Sequence, residues 1–209
     1  MERTTSIAEA RDILGKGFIG PDELGKYSMQ MGIQKPQQVP KIPYSIPELR
    51  SRSEDYLLVL GTSRMSSGVP LSLLSLRAHF GADPDRFEPC FYNQDWYMKE
   101  TFMSKPLSDA WYMVRKSVFE GSRAQSPELI GGNYTLPSAV QCAYVVFINY
   151  FCTGEYLWEH DFVWCEDKDH NGDRIYVGKY NDITGVNKNG FSVHRHLALR
   201  KWYGFIDII

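Results

Sequence analysis

The apolar positions change period along this chain, and the changes mark out its elements. Ile7, Ala10, Ile13 and Leu14 recur at helical spacing behind Ser6, a helix-capping residue type, and Gly15 and Gly17 stop the run. Pro21-Asp22-Glu23 opens a second helix, with proline early and acids in the first turn, where the helix dipole favours them. Pro36, Pro40, Pro43 and Pro47 follow at short intervals. Proline lacks a backbone donor and fixes φ, so residues 35–47 predict an extended connector. A boundary is expected there, between a small helical segment with its connector (residues 1–44) and a main domain (residues 45–209).

Residues 56–61 form a continuous apolar run of strand length, which predicts a buried strand. Leu73, Leu74, Leu76 and Phe80 give residues 71–80 the apolar face of a short helix. An aromatic-rich stretch at 91–102 and a strand at 110–118 come next. Pro137 opens the clearest helix, reaching about Phe151 and apolar nearly all round, as a core helix is. Beyond Gly154 the pattern turns to strands. Residues 162–165 and 174–180 flank a polar turn in which Asn171-Gly172 signals a hairpin. The fold class expected is α+β, with a core helix and a β-rich C-terminal region after the small helical segment.

Composition narrows the function. With 43% hydrophobic and 23% charged residues the chain of 209 is a folded one. Its net charge of −2 lacks the basic excess of a protein that grips phosphate backbones, so no nucleic-acid partner is predicted. The N-terminus has no basic and apolar regions of a signal peptide. The longest apolar run, residues 139–152, is interrupted by Gln141 and Asn149 and falls short of the roughly 20 residues of a membrane span. These features lead us to expect a soluble protein, cytoplasmic or attached to a virion or cell surface through a partner. Cys90, Cys142, Cys152 and Cys165 lack the short spacings of a zinc knuckle or redox motif. Reduced, buried thiols are expected, with a structural disulfide as the alternative.

Familiar catalytic arrangements are absent from the sequence: no phosphate-cradling glycine loop, no dinucleotide fingerprint and no Gly-x-Ser-x-Gly elbow. Residues 61–68 read as a polar loop. Asp167, Asp169 and Asn171, followed by Gly172, alternate like the opening of a calcium loop, but its twelfth position is Gly178, which offers no carboxylate. A hairpin tip with its polar groups in water and no cofactor is therefore expected, with calcium a minor alternative. His194 and His196 share one face if extended. Together with Asp167 and Asp169 they define an enzymatic alternative, a small metal-dependent enzyme of unrecognised type.

The tail carries a different signal: Tyr176-Val177-Gly178-Lys179-Tyr180, then Gly190-Phe191-Ser192-Val193, then Arg200 and Gly204-Phe205. This arrangement resembles the variable proteins of diversity-generating retroelements, whose C-terminal domains adopt a C-type-lectin-like fold. Residues 91–97 and 111–116 are similar to uncharacterised microbial proteins with such tails. The resemblance implies a non-enzymatic ligand-binding protein whose variable region, about residues 186–203, recognises a protein or other macromolecule. It implies a ligand-facing set of Ser192, His194, Arg195, His196, Leu197, Leu199, Lys201, Trp202 and Tyr203, on a framework of Gly190, Val193, Arg200 and Gly204. In such systems template adenines are copied with errors, and varied asparagine codons cannot become Lys, Glu, Gln, Met or Trp. Residues 191–200 contain none of these, whereas Lys201 and Trp202 depart from the rule. The spacing from Gly190 to Arg200 and Gly204 is also shorter than the family's, and residues 181–189 read as an insertion.

Overall fold

The structure, a computed structural model, describes residues 4–128, 134–180, 190–195 and 199–209. Helix α1 (Ile7–Leu14) starts where the Ser6 hydroxyl accepts from the Glu9 amide and the Glu9 carboxylate accepts from the Ser6 amide, and it stops at Gly15. Reciprocal capping of this kind satisfies donors that the first turn leaves open. Strand β1 (Phe18–Ile19) and helix α2 (Pro21–Met31) follow, the helix ending on Gly32 in the left-handed region. The expected connector is not extended to its end. Its last part becomes helix α3 (Ile46–Arg52), capped by Ser45 and Glu48, with Pro47 in the first turn, where a missing amide costs nothing.

Strand β2 (Tyr56–Leu60) is buried throughout, parallel to β1 on one side and antiparallel to β3 (Trp111–Arg115) on the other. Between them in sequence lies α4 (Leu73–Phe80), capped by Ser72. Packing runs unbroken across the boundary expected at residues 44 and 45. β1 belongs to the N-terminal segment yet pairs with β2, and Ala10, Leu24 and Met31 sit in the same core as Leu58 and Val59. The Trp111 indole also donates to the Pro40 carbonyl at 2.8 Å.

Helix α5 (Ala139–Thr153) is the centre of the molecule, with ten of its residues buried. Ser138 and Gln141 cap its start, and Gly154, at φ 79°, closes its end. The Tyr144 hydroxyl donates to the Leu60 carbonyl, and the Phe147 ring meets Phe80, Phe91 and Phe191 edge to face.

The second sheet is built from β4 (Phe162–Lys168), β5 (Arg174–Tyr180), β6 (Gly190–His194) and β7 (Tyr203–Gly204), in the order β6-β5-β4-β7. The first three run antiparallel, and β7 lies parallel to β4. Alternation along these strands sends Val163, Cys165, Ile175, Val177, Phe191 and Val193 into the main core. Trp164 and Tyr176 point the other way and join Tyr203 and Phe205 in a separate aromatic cluster. The last residues tie the two sheets together, because Ile209 and Met113 exchange backbone hydrogen bonds beside β3. The fold is thus a mixed α+β one with two small sheets. The four cysteines form no disulfide, and among the described residues no helix is long and apolar enough to cross a membrane.

Candidate functional site

The hairpin between β4 and β5 turns through residues 169–173. The Asp169 amide donates to the Asp173 carbonyl at 2.9 Å, and Gly172 takes φ 87°, which a side chain would strain. One oxygen of the Asp169 carboxylate accepts from the amides of Asn171 and Asp173, each at 2.9 Å. Its other oxygen accepts from Arg195 Nη1 at 2.6 Å.

Glu100, from the loop before the Thr101–Ser104 turn, reaches the same point from a distant part of the chain. Its carboxylate accepts from the His170 amide at 3.0 Å and lies 2.6 Å from His170 Nδ1 and 3.8 Å from Arg195 Nη1. Donor atoms of Glu100, Asp169 and His170 all fall within 4.8 Å of one another, so the three can together hold a metal ion. Both carboxylates are shielded, with side chains 8% and 0% exposed, while the His170 ring is 65% exposed. Burial pushes the Asp169 carboxyl upward, but the Arg195 guanidinium and the two turn amides outweigh it and hold the group below the usual aspartate range. Arg195 is itself placed by Trp96. Its guanidinium lies 4.4 Å from the indole ring centre, and that indole donates to the Val193 carbonyl at 3.1 Å.

This is not the constellation expected from sequence. Asp167 and Asp169 do not form a water-facing tip, being 8% and 6% exposed. Asp167 turns toward α5, where its carboxylate accepts from the Ala139 amide at 2.6 Å and pairs with Lys105. Burial raises the Asp167 pKa, against the pull of those two partners. Asn171 contributes its backbone amide to the turn. His194 points to the opposite face of the sheet, stacked on Tyr176 at 5.4 Å, because one residue along a strand reverses the direction of the side chain. The proposed convergence of Asp167, Asp169 and His194 therefore does not occur, and His196 lies outside the described residues. Glu100 and His170 were not among the expected ligands. They meet across 70 residues of sequence, and only the fold brings them together.

The tail is likewise sorted by burial. Ser192 and Tyr203, expected to face a ligand, are interior at 0% and 3% exposure. The Ser192 hydroxyl donates to the Gly178 carbonyl, and the Tyr203 ring packs on Tyr176. His194, Arg195 and Trp202 are half-buried, Leu199 and Lys201 are exposed, and Leu197 lies outside the described residues. Burial alone drives the His194 imidazole down to a pKa of about 4. Within the framework set, Gly190 sits so close to the backbone of residues 91–92 that a Cβ would stand 2.4 Å from the Tyr92 nitrogen. Val193 is in the core and Gly204 is buried against Val118 and Ser122. Arg200, expected in the framework, is exposed instead, with its guanidinium 5.6 Å from the Trp202 ring centre. Arg123 braces this stretch, pairing with Asp161 at 2.5 Å and donating to the Lys201 carbonyl. Beside this tail Leu199, Trp164, Arg174 and Glu128 line a depression of about 290 Å³.

No protein-family model, curated protein or solved structure matches the chain.

Proposed function

We propose that this protein is metal-dependent and holds a divalent cation between Glu100, Asp169 and His170. The observation that carries the reading is the meeting of one imidazole and two shielded carboxylates within 4.8 Å. Carboxylates drawn out of water together need positive charge beside them. Arg195 supplies one such charge, and a divalent cation would add two more. A donor set that includes an imidazole suits Zn²⁺ or Mn²⁺ better than calcium, which prefers oxygen throughout. Three protein donors leave coordination positions open on the side where His170 is exposed. A metal with open positions can activate a water or hold an external ligand. The test is calorimetric titration of chelator-treated protein with Mn²⁺, Zn²⁺ and Ca²⁺. One site is expected, tighter for the first two ions and lost in Asp169→Asn and in the exposed-residue variant His170→Ala. Absence of binding heat and of any melting shift with all three ions would end the reading.

A second reading is favoured by the exposed residues Leu199, Arg200 and Lys201 beside the depression that Leu199 helps to line. In it the protein is a non-enzymatic ligand-binding protein with a C-type-lectin-like domain, whose diversified region, about residues 186–203, meets a macromolecular partner. Residues 186–189 and 196–198 of that region lie outside the described residues. The test is the DNA flanking the gene. A near-copy of the tail codons, differing chiefly at adenines and accompanied by a reverse transcriptase gene, is expected. A complete flank holding neither would exclude it.

A further inference from the structure

Away from the hairpin, a cleft of about 550 Å³ opens between the end of α1, the start of β2 and the C-terminal turn of α5. That size falls within the range of small-molecule sites, roughly 300–1,000 Å³. Its floor is apolar, with Phe18 and Leu57 nearly buried and Leu157 and Cys152 half-buried around them. The Cys152 thiol belongs to this packing and is not a nucleophile, since burial pushes its pKa up to about 12.

The charges on the rim are unevenly matched. Arg11 and Glu23 neutralise each other. Lys16 is exposed, with no charged partner among the described residues. Lys116 donates to the carbonyls of Ser53 and Glu54, so it has hydrogen bonds but no carboxylate among the described residues. On the α5 side stands Glu155, exposed and likewise without a cationic partner among the described residues. It follows directly on the C-terminus of α5, whose last carbonyls favour a positive charge. One wall of the cleft therefore offers two uncompensated ammonium groups, and the other offers a carboxylate with a negative helix end.

We propose that this cleft binds a small zwitterion of the amino-acid or short-peptide class. The ligand's carboxylate would lie toward Lys16 and Lys116, its ammonium toward Glu155, and its apolar side chains on the floor. A simple anion would be opposed by Glu155 and a simple cation by the lysines; a molecule carrying both charges meets neither opposition.

The experiment is calorimetric titration of the full chain with the dipeptide Leu-Phe, its N-acetyl form and its C-terminal amide. We expect saturable one-to-one binding of the free dipeptide. Each cap should weaken it by about fivefold, the scale of one exposed charge pair. Lys16→Gln should weaken binding of the free dipeptide, Lys116 keeping part of the effect, and should leave binding of the amide unchanged. Glu155→Gln should likewise weaken binding of the free dipeptide and leave that of the N-acetyl form unchanged. Both residues are exposed, so both variants should melt as the parent does. Cys152→Phe, which fills the cleft, should abolish binding, with a thermal melt checking that it folds. No binding of the dipeptide at millimolar concentration, equal binding of all three forms, or binding retained in a folded Cys152→Phe variant would each overturn the proposal.

Discussion

One face of the sheet formed by β4, β5 and β6 presents Val163, Cys165, Ile175, Val177, Phe191 and Val193 to the core around α5, whereas the other gathers Trp164, Tyr176 and His194 around Tyr203. The inner face is stabilised by loss of apolar area from water and by edge-to-face rings, and places little polar chemistry there. The outer face buries polar atoms with few partners: among the described residues the Trp164 indole nitrogen makes no hydrogen bond, and the Tyr176 hydroxyl has only the neighbouring Tyr203 beside it. Buried polar groups left this way cost stability. The difference teaches that the same strands serve two ends. One side packs on the central helix, and the other closes a second, smaller aromatic cluster beside the exposed tail.

The largest expected effect tests the inner face. Phe147→Ala removes the ring at the meeting point of Phe80, Phe91 and Phe191 and should destabilise by about 3–5 kcal/mol in urea unfolding. Next comes Arg195, the cation beside the proposed metal site. Arg195→Gln removes a guanidinium from the shielded Asp169 carboxylate and should cost about 1–3 kcal/mol near pH 7. Asp169 titrates below its ordinary value near 3.8 when folded, so its contribution is present above that pH and fades as pH falls through the lower folded value. Stability of the Arg195→Gln variant should therefore fall less steeply on acidification than that of the parent.

His194 sharpens the comparison at milder pH. Burial sets its folded pKa near 4, below the ordinary 6.5, so the unfolded chain takes up the proton first as pH falls. Stability should be full above about pH 6.5 and decline by about 1–3 kcal/mol down to pH 4. Melting curves of His194→Gln across that window should show a flatter dependence. On the same face, Tyr176→Phe deletes a hydroxyl that is poorly satisfied among the described residues and should change stability by less than about 1 kcal/mol, in either direction. A loss as large as that of Phe147→Ala would break the contrast between the faces. The smallest effect belongs to Leu199→Ala, exposed at 43%, which should stay within about 0.5 kcal/mol.

Much of this architecture was legible because it is written in local signals. Ser6 before a 3.6-residue period, the all-round apolar run after Pro137, and Asn171-Gly172 between two strands each act within a few residues. The helix at Ile46–Arg52 was hidden by its prolines, although Ser45 and Glu48 stood at capping-box spacing. The candidate site was less legible. Asp169 was visible as a polar turn residue, but Glu100 lies on a loop with no pattern of its own, and Arg195 reads as a tail residue until Trp96 and Asp169 close around it. Strand alternation also sent Asp167 and His194 to opposite faces. Proximity along the sequence could not reveal that without the register of β5 with β6.

The central claim is that Glu100, Asp169 and His170 hold a metal, and Mn²⁺ tests it most directly through paramagnetic broadening of histidine resonances. The chain has five histidines, so the experiment carries its own controls. Sub-stoichiometric Mn²⁺ should broaden the His170 ring signals first and leave His79 and His160 sharp, and Asp169→Asn should remove the selectivity. Uniform broadening of all five, or none at millimolar Mn²⁺, would contradict the account.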